Sequence, residues 1–398
     1  MYPIVFGAFA ISMLLIGGCG KKGKEPAESK PAEPTAEATS ETPFTPPAFL
    51  PADIESILTT SWQHYKTTMI AEDSRPLGDP DKEDIDRDGD TTEKITVSET
   101  ASYVLLRAAA MGDETAFGRV WQWTSENMQR NNIETVYDRQ RKISRPFYPH
   151  LKDYLFAMRW VPADGQAGSV VIGSDNYDFN PATDADQDIA AALLVAANKW
   201  HKDEYQTEAL AILADIWDKE VLILGNDYYL LSGDQQFFTF DPFTGSRTHA
   251  INPSYLRPSY YETLFRQADS QHLWKGLTPT AYWQMNETAK ATMHDKDKVS
   301  VIGDEGIIPD FAAIDDGGRD GRIHDLGFKQ GDHSKKRVDY FAGGDAFRIN
   351  FWMAIQALNQ PDDPDVLKYF SQKEAYYIFL KGQLATDKEY FDENGNKI

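Results

Sequence analysis

Ala182–Trp200 reads ATDADQDIAAALLVAANKW, and this stretch decides the fold class. From Ile189 to Ala197 the chain is apolar, and Leu193, Leu194, Ala196, Ala197 and Trp200 fill more than one face at helical spacing. A helix that is apolar nearly all round is buried on most sides. Its first turn nevertheless carries Asp184, Asp186 and Asp188. Helix capping by Thr183 or Asp184 and attraction to the positive end of the helix dipole account for one or two of these carboxylates. They do not account for three. Some of the three are therefore expected to face something other than water.

Outward from this helix the same periodicity recurs. Ile54, Ile57, Leu58, Trp62 and Tyr65 mark a first helix. Ser98–Met111, with Ser98 as its cap, and Glu114–Met128, with Asp113 as its cap, follow. Pro146–Trp160 is rich in aromatic residues, and Ser169–Asn180 reads as a loop. Further helical patterns cover Tyr205–Trp217, Ser259–Ala268, Pro279–Ala291, Ala346–Leu358 and Gln372–Leu384. Strand character is confined to residues 220–250. Strongly periodic helices with hardly any strand indicate an all-α fold, and paired helices closed into a ring would suit about ten to twelve of them.

The 398 residues carry a formal charge of −22, which argues against nucleic acid or an anionic membrane surface as partner. No apolar run of about 20 residues occurs in the body of the chain. The single cysteine, Cys19, closes the apolar segment Ile4–Ile16 through Gly17 and Gly18. This resembles the lipobox of a bacterial lipoprotein signal peptide, although the expected basic n-region is missing. The resulting expectation is a signal peptide over 1–19, a disordered Lys/Glu/Pro/Ala tether over 20–48 and one folded domain over 49–390. Lipidation at Cys19 would tether the protein to the bacterial cell envelope, its only membrane attachment, as a monomer without disulfides.

Asp79–Asp90 reads DPDKEDIDRDGD, and Asp84, Asp86, Asp88 and Gly89 match the opening of a calcium loop. The match ends at the twelfth position, which is Ile95, with Glu93 two residues early. An acidic surface loop is the preferred reading. No zinc-ligand spacing, nucleotide loop or nucleophile elbow occurs, so neither a metal nor a cofactor is expected.

Two further acidic helix starts stand out. Ser98-Glu99 precedes apolar turns, where burial would raise a carboxyl pKa while the helix start lowers it. A Glu kept protonated at neutral pH is what general acid catalysis needs. Asp345, in Phe341–Asn350 (FAGGDAFRIN), begins a helix with Arg348 at i+3. Each site alone is explained by capping or a local ion pair. Together, in a chain with nine Trp and nineteen Tyr, they suggest carboxylates lining an aromatic cleft, the usual equipment of glycoside hydrolysis.

On these residues the chain resembles glycoside hydrolase family 8. ATDADQDIAAALLVAANKW is similar to the family's characteristic motif, and five segments agree in order: Val97–Tyr103 (VSETASY), Leu155–Trp160 (LFAMRW), Asn252–Tyr261 (NPSYLRPSYY), Gly306–Asp310 (GIIPD) and the Asp345–Arg348 stretch. The resemblance implies an (α/α)6 barrel, with a minor strand-containing insertion near 220–250, that cleaves β-1,4 glycans with inversion. It implies Glu99 as general acid, Asp345 as general base and Asp184 as the residue that binds and distorts the sugar. Tyr103, Trp160, Tyr255 and Arg348 are the implied cleft neighbours. The implied partner is a polysaccharide or oligosaccharide: a β-glucan such as cellulose, with xylan or chitosan as alternatives. Thr100, Met158, Gly344 and Asn350 depart from the family pattern, and the first three motivate the rival expectation, a non-catalytic lipoprotein that binds a glycan or assists export of an exopolysaccharide.

Overall fold

The computed structural model describes residues 51–370 except 79–94, 139–140, 142, 164–165, 173–178, 237, 241–246, 289–291, 296–297, 302–310, 321–322 and 325–343. The expectations for Cys19, residues 1–48, the acidic 79–90 loop, Gly306–Asp310 and Gln372–Leu384 therefore lie outside the described residues.

The frame consists of helices α1 (Pro51–Met69), α2 (Ser98–Met111), α3 (Glu114–Met128), α4 (Thr183–Trp200), α5 (Asp203–Lys219), α6 (Leu277–Thr288) and α7 (Gly344–Asn359). A π-helical turn, Tyr260–Phe265, precedes α6. Two tight reversals pair the helices. Gly112 ends α2 at φ 72°, the left-handed backbone glycine favours, and Asp113 then caps α3 by accepting the Ala116 N–H at 3.0 Å. The other Asp113 oxygen accepts from Lys66 at 2.7 Å and Trp62 at 3.0 Å, which ties α1 to this corner. At the second reversal His201 takes φ 55° between α4 and α5.

The helices α2 and α4 run side by side and parallel. At one end Lys199, in the last turn of α4, donates to the carbonyls of Ala109 and Ala110 in the last turn of α2. The Ala109 carbonyl also accepts the Gly112 N–H at 3.2 Å, and a cation suits that end of the helix dipole. At the other end stand Glu99 and Asp184, one at the start of each helix. Small side chains (Ala101, Ala108 and Ala109 on α2; Ala185, Ala190, Ala191 and Ala192 on α4) are buried along the pair. The core continues from there through Val104, Leu105, Ile189, Leu193, Ile212 and Leu213.

Strands are more frequent than the sequence suggests. A five-stranded sheet joins, in spatial order, Thr96–Val97, Arg159–Ala163, Gln166–Ile172, Thr135–Asp138 and Ile143–Pro146. A four-stranded sheet joins Ile323–His324, Ala312–Asp315, Arg247–Ile251 and Phe238–Phe240. Only the hairpin Val221–Leu224/Asp227–Leu230, Phe238–Phe240 and part of Arg247–Ile251 fall within the expected 220–250 region. Most of these strands are too short for period-2 alternation to register, and their hairpins are joined into sheets by pairings distant in the chain: Thr96 with Trp160, Tyr137 with Val171 and Ala312 with Ile251. Ser169–Asn180 likewise opens as a strand through Ile172 instead of a loop.

Two capping expectations are corrected. Ser98 is the first helical residue of α2, with Val97 in the cap position and no side-chain cap bond. Neither Thr183 nor Asp184 caps α4; the cap position is Ala182, again without a side-chain bond. The carboxylates at the start of α4 are used elsewhere.

Candidate active site

Asp184 is buried at the second position of α4, where its Oδ1 accepts from the Ala185 N–H at 3.0 Å. Its Oδ2 accepts from Arg348 Nη1 at 2.9 Å. The same Arg348 nitrogen donates to the hydroxyl of Tyr103, one turn along α2 from Glu99. Arg348 Nη2 lies 3.5 Å from Ser254 Oγ, and its guanidinium carbon lies 5.8 Å from the Tyr255 ring centre. Thus α2, α4, the segment around residue 254 and the start of α7 meet at one guanidinium. Exposed Phe311 stands edge-on to the buried Tyr255 ring, with ring centres 6.3 Å apart.

Glu99 is partly exposed in the first turn of α2, and Ser98 Oγ donates to its Oε2 at 3.3 Å. Its charge reaches Asp184. Burial pushes the Asp184 carboxyl up to about 7, the Arg348 guanidinium opposes that rise and the Glu99 carboxylate adds to it. Burial also raises the Tyr103 phenol, so that it stays protonated beside Arg348.

The VSETASY and LFAMRW segments position Glu99 through their backbones. Thr96 pairs with Trp160 and Val97 with Arg159 in an antiparallel ladder. Ser98 N–H, which has no partner inside its own helix, donates to Met158 O at 2.9 Å. Met158 N–H in turn donates to Asn180 O at 2.8 Å, just before α4. The departure at Met158 leaves this role intact because it uses only main-chain atoms. Trp160, expected beside the sugar, packs into the core against Trp123 at 5.1 Å, with the Arg75 guanidinium 4.9 Å over its ring.

The remaining acidic residues of α4 point elsewhere. At about 100° per residue Asp188 shares a face with Asp184, whereas Asp186 lies on the other side. Asp188 forms a two-pronged pair with Arg257, Nε to Oδ1 and Nη2 to Oδ2, each at 3.2 Å, with both side chains fully buried. The Arg257 guanidinium stacks 3.8 Å over Trp352 of α7. Gln187 Nε2 donates to the Thr183 and Tyr255 carbonyls at 2.9 and 3.0 Å, while Tyr261 OH donates to its Oε1 at 2.9 Å. Asp186 Oδ1 accepts the Phe156 N–H at 2.9 Å. The α4 start therefore gathers the Leu155–Trp160 and Asn252–Tyr261 segments around Asp184.

Glu99, Tyr103, Asp184, Tyr255 and Arg348 are thus brought together. Asp345 belongs to the first turn of α7, one turn before Arg348, but its side chain lies outside the described residues. Sequence reasoning missed Ser254, Arg257, Gln187 and Phe311 as parts of the site. An arginine within the aromatic run NPSYLRPSYY was the available signal for Arg257, since a buried guanidinium needs an acidic partner. Among the described residues no group of three or more His, Cys, Asp or Glu is placed to hold a metal ion. Nor, among them, is any helix long and apolar enough to cross a membrane.

The sequence model of glycosyl hydrolases family 8 matches residues 48–383. The chain is 25% identical over 311 residues to an endoglucanase of Salmonella typhi, covering 78% of this chain and 66% of the relative. It is 24% identical to an endoglucanase of Escherichia coli K12 with the same coverage. The chain thus spans 66% of the length of these curated relatives. Among solved structures, the endo-beta-1,4-glucanase CMCax of Acetobacter xylinum superposes with a TM-score of 0.52 at 19% identity, covering 79% of this chain and 76% of that one. A reducing-end-xylose releasing exo-oligoxylanase superposes with a TM-score of 0.55 at 17% identity, covering 88% and 77%. The paired helices follow the (α/α)6 barrel of these proteins. The chain belongs to glycosyl hydrolases family 8.

Proposed function

We propose that the protein hydrolyses internal β-1,4 linkages of a polysaccharide with inversion at the anomeric carbon, and that a β-glucan is its substrate. The observation that carries this reading is the pairing of Glu99 and Asp184 at the adjacent starts of two parallel helices, beside Arg348 and the aromatic pair Tyr255–Phe311. Glu99, the more exposed carboxyl, protonates the departing glycosidic oxygen. Asp345, on the helix that also supplies Arg348, activates the water; an inverting pair stands roughly 6.5–9.5 Å apart to admit it. Asp184, already oriented by Arg348 and Tyr103, accepts hydroxyl hydrogen bonds from the sugar at the cleavage point. Phe311, which is exposed, offers a ring on which a sugar can stack, with Tyr255 buried behind it.

The β-glucan assignment is supported by the endoglucanase names of the curated relatives. Xylan is the alternative favoured by the likeness to an exo-oligoxylanase, and it would also replace internal by terminal cleavage. Chitosan, a polycation, suits a chain of charge −22. Incubating the purified chain with glucan, xylan and chitosan and reading the product anomer by NMR separates these readings. An α product from glucan is expected. A β product would overturn inversion, and binding without turnover over days would point instead to a glycan-binding protein.

We further propose that Cys19 carries a lipid that holds the domain at the cell envelope through the 20–48 tether. The apolar segment Ile4–Ile16 followed by Gly17-Gly18-Cys19 supports this reading. Cys19→Ser is expected to move the protein from the membrane fraction to the soluble fraction. Equal membrane partition of the variant and the wild type would sink the proposal.

A further inference from the structure

The short turn Pro253–Tyr255 brings Ser254 and the Tyr255 ring beside Arg348. Asn252 Oδ1 accepts the Ser254 N–H at 2.9 Å and the Ser254 hydroxyl at 2.7 Å. Having spent its only hydroxyl proton there, Ser254 Oγ turns a lone pair towards Arg348 Nη2 at 3.5 Å. The Tyr255 N–H donates to Asn252 O at 2.9 Å, the Leu256 N–H donates to Pro253 O at 3.4 Å, and Arg257 Nη1 donates to Ser254 O. Two further backbone groups, the Tyr255 carbonyl and the Arg257 N–H, find their partners outside the turn.

Those partners are Gln187 of α4 and Tyr261 of the π-helical turn, both fully buried. Gln187 Nε2 faces two carbonyls, Thr183 O at 2.9 Å and Tyr255 O at 3.0 Å, and a carbonyl can only accept. That end of the amide is therefore its NH2 group, with both hydrogens used. The other end is the oxygen, so the Tyr261 hydroxyl must donate to it, at 2.9 Å. The lone pairs of the same hydroxyl accept the Arg257 N–H at 3.0 Å. The bonds thus run in one direction, from the Arg257 N–H through Tyr261 and Gln187 to the Tyr255 carbonyl. A buried polar network satisfied in this way fixes one geometry, because moving any member strands the next.

We propose that Gln187 and Tyr261 are positioning residues for the glycan cleft: they lock the Asn252–Arg257 segment against the start of α4 and so place Ser254 and Tyr255 relative to Asp184 and Arg348. Gln187 lies one turn past Thr183, the residue that precedes Asp184. A single amide therefore ties the Tyr255 backbone to the helical turn that carries Asp184. The inference rests on the cleft proposed above. What the network governs is where the sugar sits, not the proton transfers, so its loss is expected in KM with kcat nearly kept.

The test compares Gln187→Met, Tyr261→Phe and their double variant in the full chain with a control, Tyr282→Phe, which removes a hydroxyl bonded to Asp363 at 3.0 Å outside this network. Each single variant is expected to lose a few degrees of Tm. Gln187→Met keeps the length of the side chain and removes both donors. Its KM for a cello-oligosaccharide should rise roughly fivefold while kcat stays within about twofold. Tyr261→Phe should raise KM less, since Gln187 keeps both carbonyls, and the double variant should match Gln187→Met because the bonds belong to one network. Tyr282→Phe should leave KM unchanged. Amide hydrogen exchange reads the lock without any hydrolysis: the Asn252–Tyr261 segment should exchange faster in Gln187→Met and at the wild-type rate in Tyr282→Phe. An unchanged KM in Gln187→Met, or an equal rise in Tyr282→Phe, overturns the positioning role, and wild-type exchange in Gln187→Met overturns the lock. If wild type cleaves no glycan, the proposed hydrolysis fails while the exchange comparison still decides the lock, and affinity for the same oligosaccharide takes the place of KM.

Discussion

Arg348 Nη1 lies 2.9 Å from Asp184 Oδ2, across a separation of 164 residues, and the same nitrogen donates to the Tyr103 hydroxyl. One side chain from the start of α7 thus registers that helix against the starts of α4 and α2. Asp345 precedes Arg348 by one helical turn, and Glu99 precedes Tyr103 by one turn. The guanidinium therefore links the two helix starts to which we assign acid and base. A planar fork with several donors can serve two acceptors and lie near an aromatic ring at once; a lysine ammonium lacks that geometry.

Arg348→Ala is expected to destabilise the fold by about 3 kcal/mol, because it leaves the buried Asp184 carboxyl without its cation. Arg348→Lys should recover much of that stability but little activity, since the charge returns without the fork. Urea unfolding beside hydrolysis assays measures both. Full activity in Arg348→Lys would show that the fork geometry is dispensable.

Glu99→Gln removes the proposed proton donor with almost no change in volume at a partly exposed position. The variant should unfold like wild type while kcat falls by roughly 10²–10⁴-fold. Reducing-end release from a soluble glucan reads this directly. A variant as fast as wild type would mean that the acid is another residue.

The Asp184 carboxyl, raised by burial to about 7, makes stability depend on pH. The folded chain retains this proton above the ordinary Asp value of about 3.9, where the unfolded chain has released it. Its contribution is therefore complete below about pH 4 and is lost as pH rises through about 7. Asp184→Asn should flatten the fall of Tm between those limits. Identical Tm profiles for the two proteins would exclude the raised value.

Arg257→Ala should cost about 3–5 kcal/mol, because it strands the Asp188 carboxylate in a dry interior and removes the stack on Trp352. Replacing both partners, as Asp188→Leu with Arg257→Met, should recover part of the loss, since apolar groups leave no unpaired charge. Denaturant midpoints of the single and double variants test this. A double variant weaker than Arg257→Ala would refute a desolvation origin.

The helices were legible because helix formation is local. Val104, Leu105 and Ala108 on α2 and Ile189, Leu193 and Ala196 on α4 repeat at three- and four-residue spacings that any helix turns to one side. The Asp113 cap was legible for the same reason, as its partner Ala116 is three residues away. The pairings of Thr96–Val97 with Arg159–Ala163 and of Thr135–Asp138 with Gln166–Ile172 were not legible, because those partners lie far apart in the chain. Thr96 meets Trp160 only once the helices between them have packed.

Ala182–Trp200 shows the same division within one segment. Its residues determined that the helix would be buried and that three carboxylates at its start exceeded what capping uses. They did not determine where each carboxylate would go. Helical phase divides them into two faces, and distant segments supply the partners: Arg348 for Asp184, Arg257 for Asp188 and Phe156 for Asp186. A buried carboxyl takes its charge state from its neighbours, and those neighbours come 30 or more residues away in sequence. Composition and local periodicity therefore specified the helix, and tertiary packing decided which partner each of its acids meets.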